Sequence, residues 1–199
     1  MAGKKARKKT QKVTVTKPPK TSGDGKAKTL SSKIVFKGKV FSVRRDEVIE
    51  PAGVRATRDM IAHSGSVVVM PVLDDGKIVL IRQYRYAARQ YLWELVAGRI
   101  DPGENVNQGA VRELIEETGL RVKKMRLFLE FWPSPGFLEE KMYVLLAEGV
   151  TQGKADPEED ERIEAKAFSR AELLKMLQNG VLRDAKTISS LLYYFRFVV

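Results

Sequence analysis

Two segments, Gly98-Arg-Ile-Asp-Pro-Gly-Glu104 and Arg112-Glu-Leu-Ile-Glu-Glu-Thr-Gly-Leu120, are separated by seven residues and decide how this 199-residue chain is interpreted. Asn105 is a suitable N-cap, and Gly119 is a typical residue for ending a helix. The sequence therefore predicts a helix that begins just after Asn105 and continues to about Thr118.

Three glutamates on this predicted helix suggest a metal site. Glu113 and Glu117 are four residues apart and share one face, and Glu116 is three residues from Glu113. Like charges at this spacing repel, and a divalent cation between them would remove the repulsion. Carboxylate oxygens suit hard ions, Mg2+ first and Mn2+ second. A solvated, Glu-rich surface helix would account for one or two of these glutamates, but not for the glycine-rich loop before them.

The order of the fixed residues resembles the Nudix box, whose pattern is Gly-x5-Glu-x7-Arg-Glu-apolar-x-Glu-Glu-x-Gly-apolar. Its positions are matched by Gly98, Glu104, Arg112, Glu113, Leu114, Glu116, Glu117, Gly119 and Leu120. The resemblance implies an α/β/α sandwich. It also implies hydrolysis of a nucleoside diphosphate linked to another group, with Mg2+ or Mn2+ as cofactor.

The resemblance assigns roles within the box. The implied metal ligands are the side chains of Glu113, Glu116 and Glu117 and the backbone carbonyl of Ala97, and Glu113 and Glu117 are also implied in catalysis. Glu104 and Arg112 are expected to lock the loop to the helix through a charge-assisted pair, with Gly98 as a further structural position.

Segments outside the box resemble the ADP-ribose pyrophosphatase branch over nearly all of residues 34–199. The segments are Arg58 ahead of His63–Gly65, Ile81–Arg85, Leu95–Asp101 and Trp132–Phe137. The substrate-binding residues that this implies are Arg58, Arg85, Arg99, Pro135 and Glu140, with Glu139 as the alternative to Glu140. For Arg58 and Arg85 the alternative is an ordinary surface salt bridge. Trp93 and Trp132 are expected in the core or at a dimer interface, with adenine stacking as the alternative.

The acidic run Asp156–Glu161 precedes Ile163. A charge run of this kind is usually a solvated loop. In the branch that the chain resembles, however, such a loop supplies the general base and a further metal ligand. Alignment on Ile163 assigns Glu159 as the base and Glu161 as the ligand, and the two could exchange roles.

The net charge of +11 is concentrated at the N-terminus, because residues 1–33 hold eleven of the 36 Lys and Arg residues and only one of the 25 acidic residues. Residues 1–32 are predicted to form a disordered Lys-rich tail, since they contain no aromatic residue. The tail either contacts a polyanion weakly or only aids solubility. The predicted hydrolase domain spans residues 33–199, and its strands within 33–62 are expected to take part in a homodimer.

Outside the box, the hydrophobic pattern predicts a mixed sheet with helices on its faces. Predicted strands lie within 34–44, 55–62, 66–73, 77–84, 93–97, 125–132, 141–146 and 163–168, and predicted helices span 169–179 and 184–197. Asp74-Asp75-Gly76 is predicted to be a hairpin turn between the third and fourth of these strands.

The sequence contains no cysteine and no apolar run of the ~18 residues that a bilayer span needs. A cytoplasmic location without membrane contact is therefore expected. The predicted activity is Mg2+-dependent hydrolysis of ADP-ribose to AMP and ribose 5-phosphate. The alternatives are a hydrolase of another nucleotide sugar or of RNA 5′ ends, and an inactive nucleotide-binding module, for which an eroded box would be expected.

Overall fold

The computed structural model describes residues 25–51, 53–153 and 163–199. Within these ranges the chain forms twelve strands and three helices. The strands are β1 (Lys28–Lys37), β2 (Ser42–Ile49), β3 (Arg55–Ala62), β4 (Ser66–Pro71), β5 (Ile78–Arg85), β6 (Gln90–Glu94), β7 (Val96–Arg99), β8 (Leu120–Arg121), β9 (Lys124–Phe131), β10 (Met142–Glu148), β11 (Thr151–Gln152) and β12 (Glu164–Phe168); the helices are α1 (Val106–Thr118), α2 (Arg170–Gln178) and α3 (Ala185–Phe197).

The strands form four sheets, in the orders β1-β2-β3, β7-β4-β10-β9, β12-β5-β6 and β11-β8. In the four-stranded sheet β4 and β10 run parallel, with Ser66 opposite Met142, while β7 and β9 are antiparallel to their neighbours. The predicted mixed sheet is therefore confirmed.

The described chain divides into two compact units. One consists of residues up to Lys33 together with 45–58, and within it Thr57 donates a 2.8 Å hydrogen bond to Glu47. The other consists of 34–44 and 59–199, and it contains the box, all three helices and most of the buried apolar residues.

The larger unit has two buried apolar clusters, one on each face of its central strands. Alternate residues of a strand point to opposite faces, so Val67 and Val69 of β4 join one cluster and Val68 and Met70 join the other. The first cluster includes Leu114 of α1. The second includes residues from the two C-terminal helices and the loop between them, namely Leu173, Leu182 and Leu191. Helices therefore cover both faces, as in the α/β/α sandwich that the family resemblance implied.

The box helix has the ends that the sequence predicts. The Asn105 side chain accepts a hydrogen bond from the Gln108 amide, and the Gln108 side chain accepts one from the Asn105 amide. These two bonds satisfy amide groups that would otherwise lack partners at the helix start. Gly119 ends the helix in the left-handed conformation, at a φ of 72°.

The predicted hairpin across Asp74–Gly76 is only half correct. The turn is present and is closed by a 2.9 Å hydrogen bond from the Leu73 amide to the Lys77 carbonyl. The flanking strands share a single bridge, Val72 with Ile78, and then separate into different sheets. A local turn signal cannot show this, because the partner strands β10 and β12 come much later in the chain.

Two other predicted boundaries are wrong. Residues 93–97 do not form one strand, because the chain leaves the β5 sheet after Glu94 and enters the β4 sheet at Val96. Strand β1 begins at Lys28, so the last residues of the predicted disordered tail are ordered. Residues 1–24 lie outside the described part of the chain.

No helix in the described ranges is long and apolar enough to cross a bilayer.

Candidate active site

Arg112 connects the box loop to the box helix. Its Nε donates to Glu104 Oε1 at 2.8 Å, and its Nη2 donates to Glu104 Oε2 at 3.0 Å. The same Nη2 donates to the Arg99 carbonyl at 2.9 Å, and Glu104 Oε2 accepts from the Asp101 amide at 3.1 Å. The pair expected from the sequence is thus a bidentate ion pair with two further backbone bonds.

Arg112 also reaches two of the glutamates that the sequence assigns to metal binding. Its Nη1 donates to Glu113 Oε1 at 2.8 Å and to Glu116 Oε2 at 2.9 Å. The hydrogen bonds that Arg112 donates to Glu104, which contributes most, and to Glu113 and Glu116 raise the pKa of Arg112. The repulsion among the helix glutamates is therefore offset by Arg112, a contribution that the spacing of the glutamates alone does not reveal.

The same contacts lower the pKa of Glu104 to about 2, through the Arg112 side chain first and the Asp101 amide second. A depressed carboxyl pKa adds stability that is complete above the unfolded value and is lost as the pH falls toward the folded value. We therefore expect Glu104→Gln to be less stable than the wild type at pH 6, with the difference shrinking between about pH 4.5 and pH 2.

Urea unfolding across this pH range would measure the effect. Glu148→Gln is a suitable control, because the Glu148 carboxylate is 4.0 Å from its Lys124 partner in a weak surface pair. A difference between Glu104→Gln and wild type that stays constant down to pH 2 would contradict the assignment.

Gly98 brings strand β7 against the Glu113 side chain. A Cβ atom built on Gly98 would lie 1.9 Å from Glu113 Oε1 and 2.0 Å from its Cδ. No side chain larger than hydrogen fits unless the carboxylate moves. The Glu113 carboxylate therefore occupies the space that a side chain at Gly98 would need.

Glu117 contacts the residue just before that glycine. Its side chain is buried, with the residue 6% exposed, and its Oε2 accepts from the Ala97 amide at 3.3 Å. Consecutive residues of β7, Ala97 and Gly98, thus contact the two glutamates that share one face of α1. The structure brings together these four residues from the predicted site.

The donor set suits a hard divalent cation. Glu113, Glu116 and Glu117 offer only anionic oxygens, which Mg2+ and Mn2+ prefer. Among the residues that the structure describes, no three acidic or histidine side chains converge into a preformed cluster. Arg112 holds Glu113 and Glu116 in part, so these carboxylates would have to share or exchange that partner on binding a metal ion.

Arg85, the predicted phosphate clamp, is already in an ion pair. Its Nε and Nη2 donate to the two oxygens of Glu94 at 2.9 and 2.8 Å, and this contact is the main cause of the raised pKa of Arg85. Burial would raise the pKa of Glu94, but the bonds from Arg85 and Lys186 lower it below its ordinary value. Glu94 was not among the predicted site residues, although its position inside the apolar run Leu92–Val96 is a signal for a buried carboxylate.

The other predicted substrate-binding arginines have partners of their own. Arg58 pairs with Glu50 within the smaller unit, as its salt-bridge alternative suggested. Arg99 donates from Nη2 to the Val40 carbonyl. A substrate role for either arginine stays a prediction.

The Ser134–Gly136 segment is a turn in which the Leu138 amide donates to the Ser134 carbonyl at 3.1 Å. Pro135 lines a cavity of about 330 Å3 with exposed Trp132, while Trp93 packs edge-on against Phe168.

Glu140 and Glu139, which follow this turn, face different partners. Glu140 accepts from Ser66 Oγ at 2.5 Å, whereas Glu139 forms a bidentate pair with Arg44. Glu159 and Glu161 lie outside the described residues.

Comparison with known families identifies the family to which the chain belongs. A family model described as the NUDIX domain matches residues 62–191. This chain is a Nudix hydrolase. A second family, the nucleoside diphosphate sugar hydrolase N-terminal domain, matches residues 28–60 and so begins where β1 begins.

Named proteins and a solved structure are similar to this chain over most of its length. The ADP-ribose pyrophosphatase of Bacillus subtilis (strain 168) is 35% identical over 168 residues, which cover 83% of this chain and 91% of that protein. The methanol dehydrogenase activator of Bacillus methanolicus is 31% identical with the same coverage. A solved structure of an ADP compounds hydrolase superposes with a TM-score of 0.76 at 23% identity, covering 89% of this chain and 97% of that one, which shows that the fold is shared. The Nudix hydrolase is thus similar to ADP-ribose pyrophosphatases over most of its length.

Proposed function

We propose that this Nudix hydrolase cleaves the pyrophosphate bond of ADP-ribose, or of a related nucleoside diphosphate sugar, and releases AMP and ribose 5-phosphate. The observation that carries the proposal is the pair of glutamates, Glu113 and Glu117, packed against Gly98 and Ala97 of one strand. The names of the B. subtilis relative and of the N-terminal family support the substrate class.

Mg2+ is the proposed cofactor, and Glu113 and Glu117 would hold it, with Glu116 and the Ala97 carbonyl as further ligands. When bound, such an ion neutralises charge on phosphate oxygens and lowers the pKa of water. Arg112 sets the directions of Glu113 and Glu116 through its Nη1 contacts.

In the proposed reaction, a water oxygen forms a bond to one phosphorus while the bridging P–O bond breaks. The departing phosphate keeps the electron pair of that bond. Glu159 is proposed to take the proton from the water, with Glu161 as a further metal ligand. Arg85, Arg58, Arg99, Pro135 and Glu140 are the proposed substrate contacts.

A substrate panel tests this function. ADP-ribose, ADP-glucose, GDP-mannose, NADH, diadenosine polyphosphates and 5′-triphosphate RNA would each be assayed with Mg2+ and with Mn2+. We expect the highest kcat/KM for ADP-ribose, with AMP and ribose 5-phosphate as products. A preference for RNA would replace the proposal with the second candidate, which the positive charge of the Lys-rich residues 1–32 favours.

We also propose that the enzyme is a homodimer that uses strands within residues 33–62. Large apolar side chains are exposed in this segment, among them Val40 at 69%, Ile34 at 54% and Phe36 at 52%. Several exposed apolar side chains in one short segment favour a protein contact. We expect a dimer at micromolar concentration by sedimentation velocity, and a Phe36→Glu variant that dissociates more readily. A monomeric wild-type protein would contradict the proposal.

A further inference from the structure

A network of four charged side chains lies between the β5–β6 strand pair and the start of α3, with Glu94 and Lys186 buried and Arg85 partly exposed. Glu94, the last residue of β6, is only 1% exposed. Its two oxygens accept from Arg85, and Oε2 also accepts from Lys186 Nζ. Lys186 has a side chain that is 10% exposed, and it contacts Asp184 Oδ1 at 3.0 Å. The two acidic and two basic side chains therefore give the network a formal net charge of zero.

Stability alone does not explain such a network. Removing charges from water is costly, and buried ion pairs can often be replaced by apolar residues of similar volume with no loss of stability. The costly arrangement does provide orientation, because a planar guanidinium held by two parallel bonds has one defined direction. The network is therefore better explained as a device that fixes the Arg85 side chain.

The network lies close to the metal-binding glutamates. Leu95, which follows Glu94, donates its amide to Thr187 Oγ1 of α3 at 2.8 Å. Two residues further, the Ala97 amide donates to Glu117. The Glu117 charge also contributes to the raised pKa of Arg85. The short segment 94–97 thus joins the charged network to the candidate active site.

Arg85 has donors to spare for a ligand. Its side chain is 38% exposed, and Glu94 uses only the edge formed by Nε and Nη2. Among the residues that the structure describes, none accepts a hydrogen bond from Arg85 Nη1. The edge formed by Nη1 and Nη2 can therefore bind two oxygens of a phosphate group, while the opposite edge stays on Glu94.

We propose that Glu94 and Lys186 are positioning residues, which hold the Arg85 guanidinium so that its Nη1 edge meets a phosphate oxygen of the substrate. Glu94 orients Arg85 directly, and Lys186 holds Glu94. This assignment rests on the proposed function, because it needs a pyrophosphate substrate in the site.

A double-mutant cycle tests the assignment. The wild type, Arg85→Lys, Glu94→Gln and the double variant would be compared for kcat and KM with ADP-ribose at saturating Mg2+. We expect Glu94→Gln to raise KM on the order of 10-fold with a smaller change in kcat, since it loosens a substrate-binding group. In the Arg85→Lys background the same change should have almost no effect, because the group that Glu94 positions is gone.

Glu164→Gln is the matched control. Glu164 pairs with Arg82 at 3.5 Å on the exposed side of the same sheet, so its loss should leave KM unchanged. Lys186→Met provides a second test if Glu94→Gln does not fold. It keeps Glu94 and Arg85 but removes the group that holds Glu94, and it should also raise KM.

The outcomes separate the two proposals. A wild type that hydrolyses neither ADP-ribose nor another nucleoside diphosphate sugar of the panel overturns the proposed function, and this assignment with it. A wild type that hydrolyses ADP-ribose leaves the function standing, but additive effects of Glu94→Gln and Arg85→Lys would overturn the positioning role. So would an unchanged KM in a folded Lys186→Met variant.

Discussion

A Glu117→Gln variant should lose on the order of 10³-fold in kcat for ADP-ribose while keeping its fold. Glu117 is buried and accepts from the Ala97 amide. A glutamine carbonyl oxygen can still accept that bond, so the strand and helix stay in contact. What disappears is an anionic oxygen for the cation, and the same loss is expected for Glu113→Gln.

The measurement is kcat as a function of Mg2+ concentration, together with the melting temperature of each variant. Loss of a metal ligand should raise the Mg2+ concentration that gives half-maximal kcat, and it should also lower the maximal kcat. Glu148→Gln, at the weak surface pair with Lys124, should match the wild type in both. A folded Glu117→Gln variant with a mild loss and an unchanged Mg2+ dependence would exclude Glu117 as a principal ligand.

The box helix and its caps could be predicted because their signals are local. Asn105 and Gly119, the two predicted ends, act on backbone groups within one turn of themselves. The Glu104–Arg112 pair was also accessible, because loop and helix are adjacent in sequence. These interactions need no knowledge of the rest of the fold.

The parts that were missed depend on residues far apart in the chain. Glu94 meets Lys186 across 92 residues, and Arg44 meets Glu139 across 95. No local pattern specifies such pairs. Arg85 is a different case, because its partner Glu94 is only nine residues away. The sequence predicted a phosphate clamp, with a surface salt bridge as the alternative, and only the pairing of β5 with β6 shows that one edge of the guanidinium is already bound.

The separation of β4 from β5 has a similar cause. The turn between them is typical of a hairpin, but β4 pairs with β10 and β7, whereas β5 pairs with β12 and β6. Two sheets then place apolar side chains toward helices on both faces. Which strands pair with β4 and β5 depends on how the apolar side chains are buried, and the sequence of a turn carries no information on that.

Gly98→Ala should lower kcat on the order of 10²-fold, because the new methyl group occupies the position of the Glu113 carboxylate. A Cβ at Gly98 would lie 1.9 Å from Glu113 Oε1, so the carboxylate must move by more than an ångström. A displacement of about 1 Å in a positioned group costs roughly 10²-fold in rate. The carboxylate is the end of a flexible side chain, so it can swing aside without unfolding the strand.

Gly109→Ala is the control for this effect, since it adds the same methyl group within the same box. At Gly109 the nearest contact would be Glu104 Oε2 at 3.3 Å, which a small shift can accommodate. Alanine also favours the helix by roughly 1 kcal/mol over glycine, so this variant should keep its activity and lose little stability. Steady-state kinetics and thermal melts of both variants would test whether kcat falls at Gly98, where the contact is 1.9 Å, and stays unchanged at Gly109, where it is 3.3 Å. If Gly98→Ala kept full activity and Mg2+ dependence, the Glu113 carboxylate would not need its place on β7, and the glycine that begins the box would require another explanation.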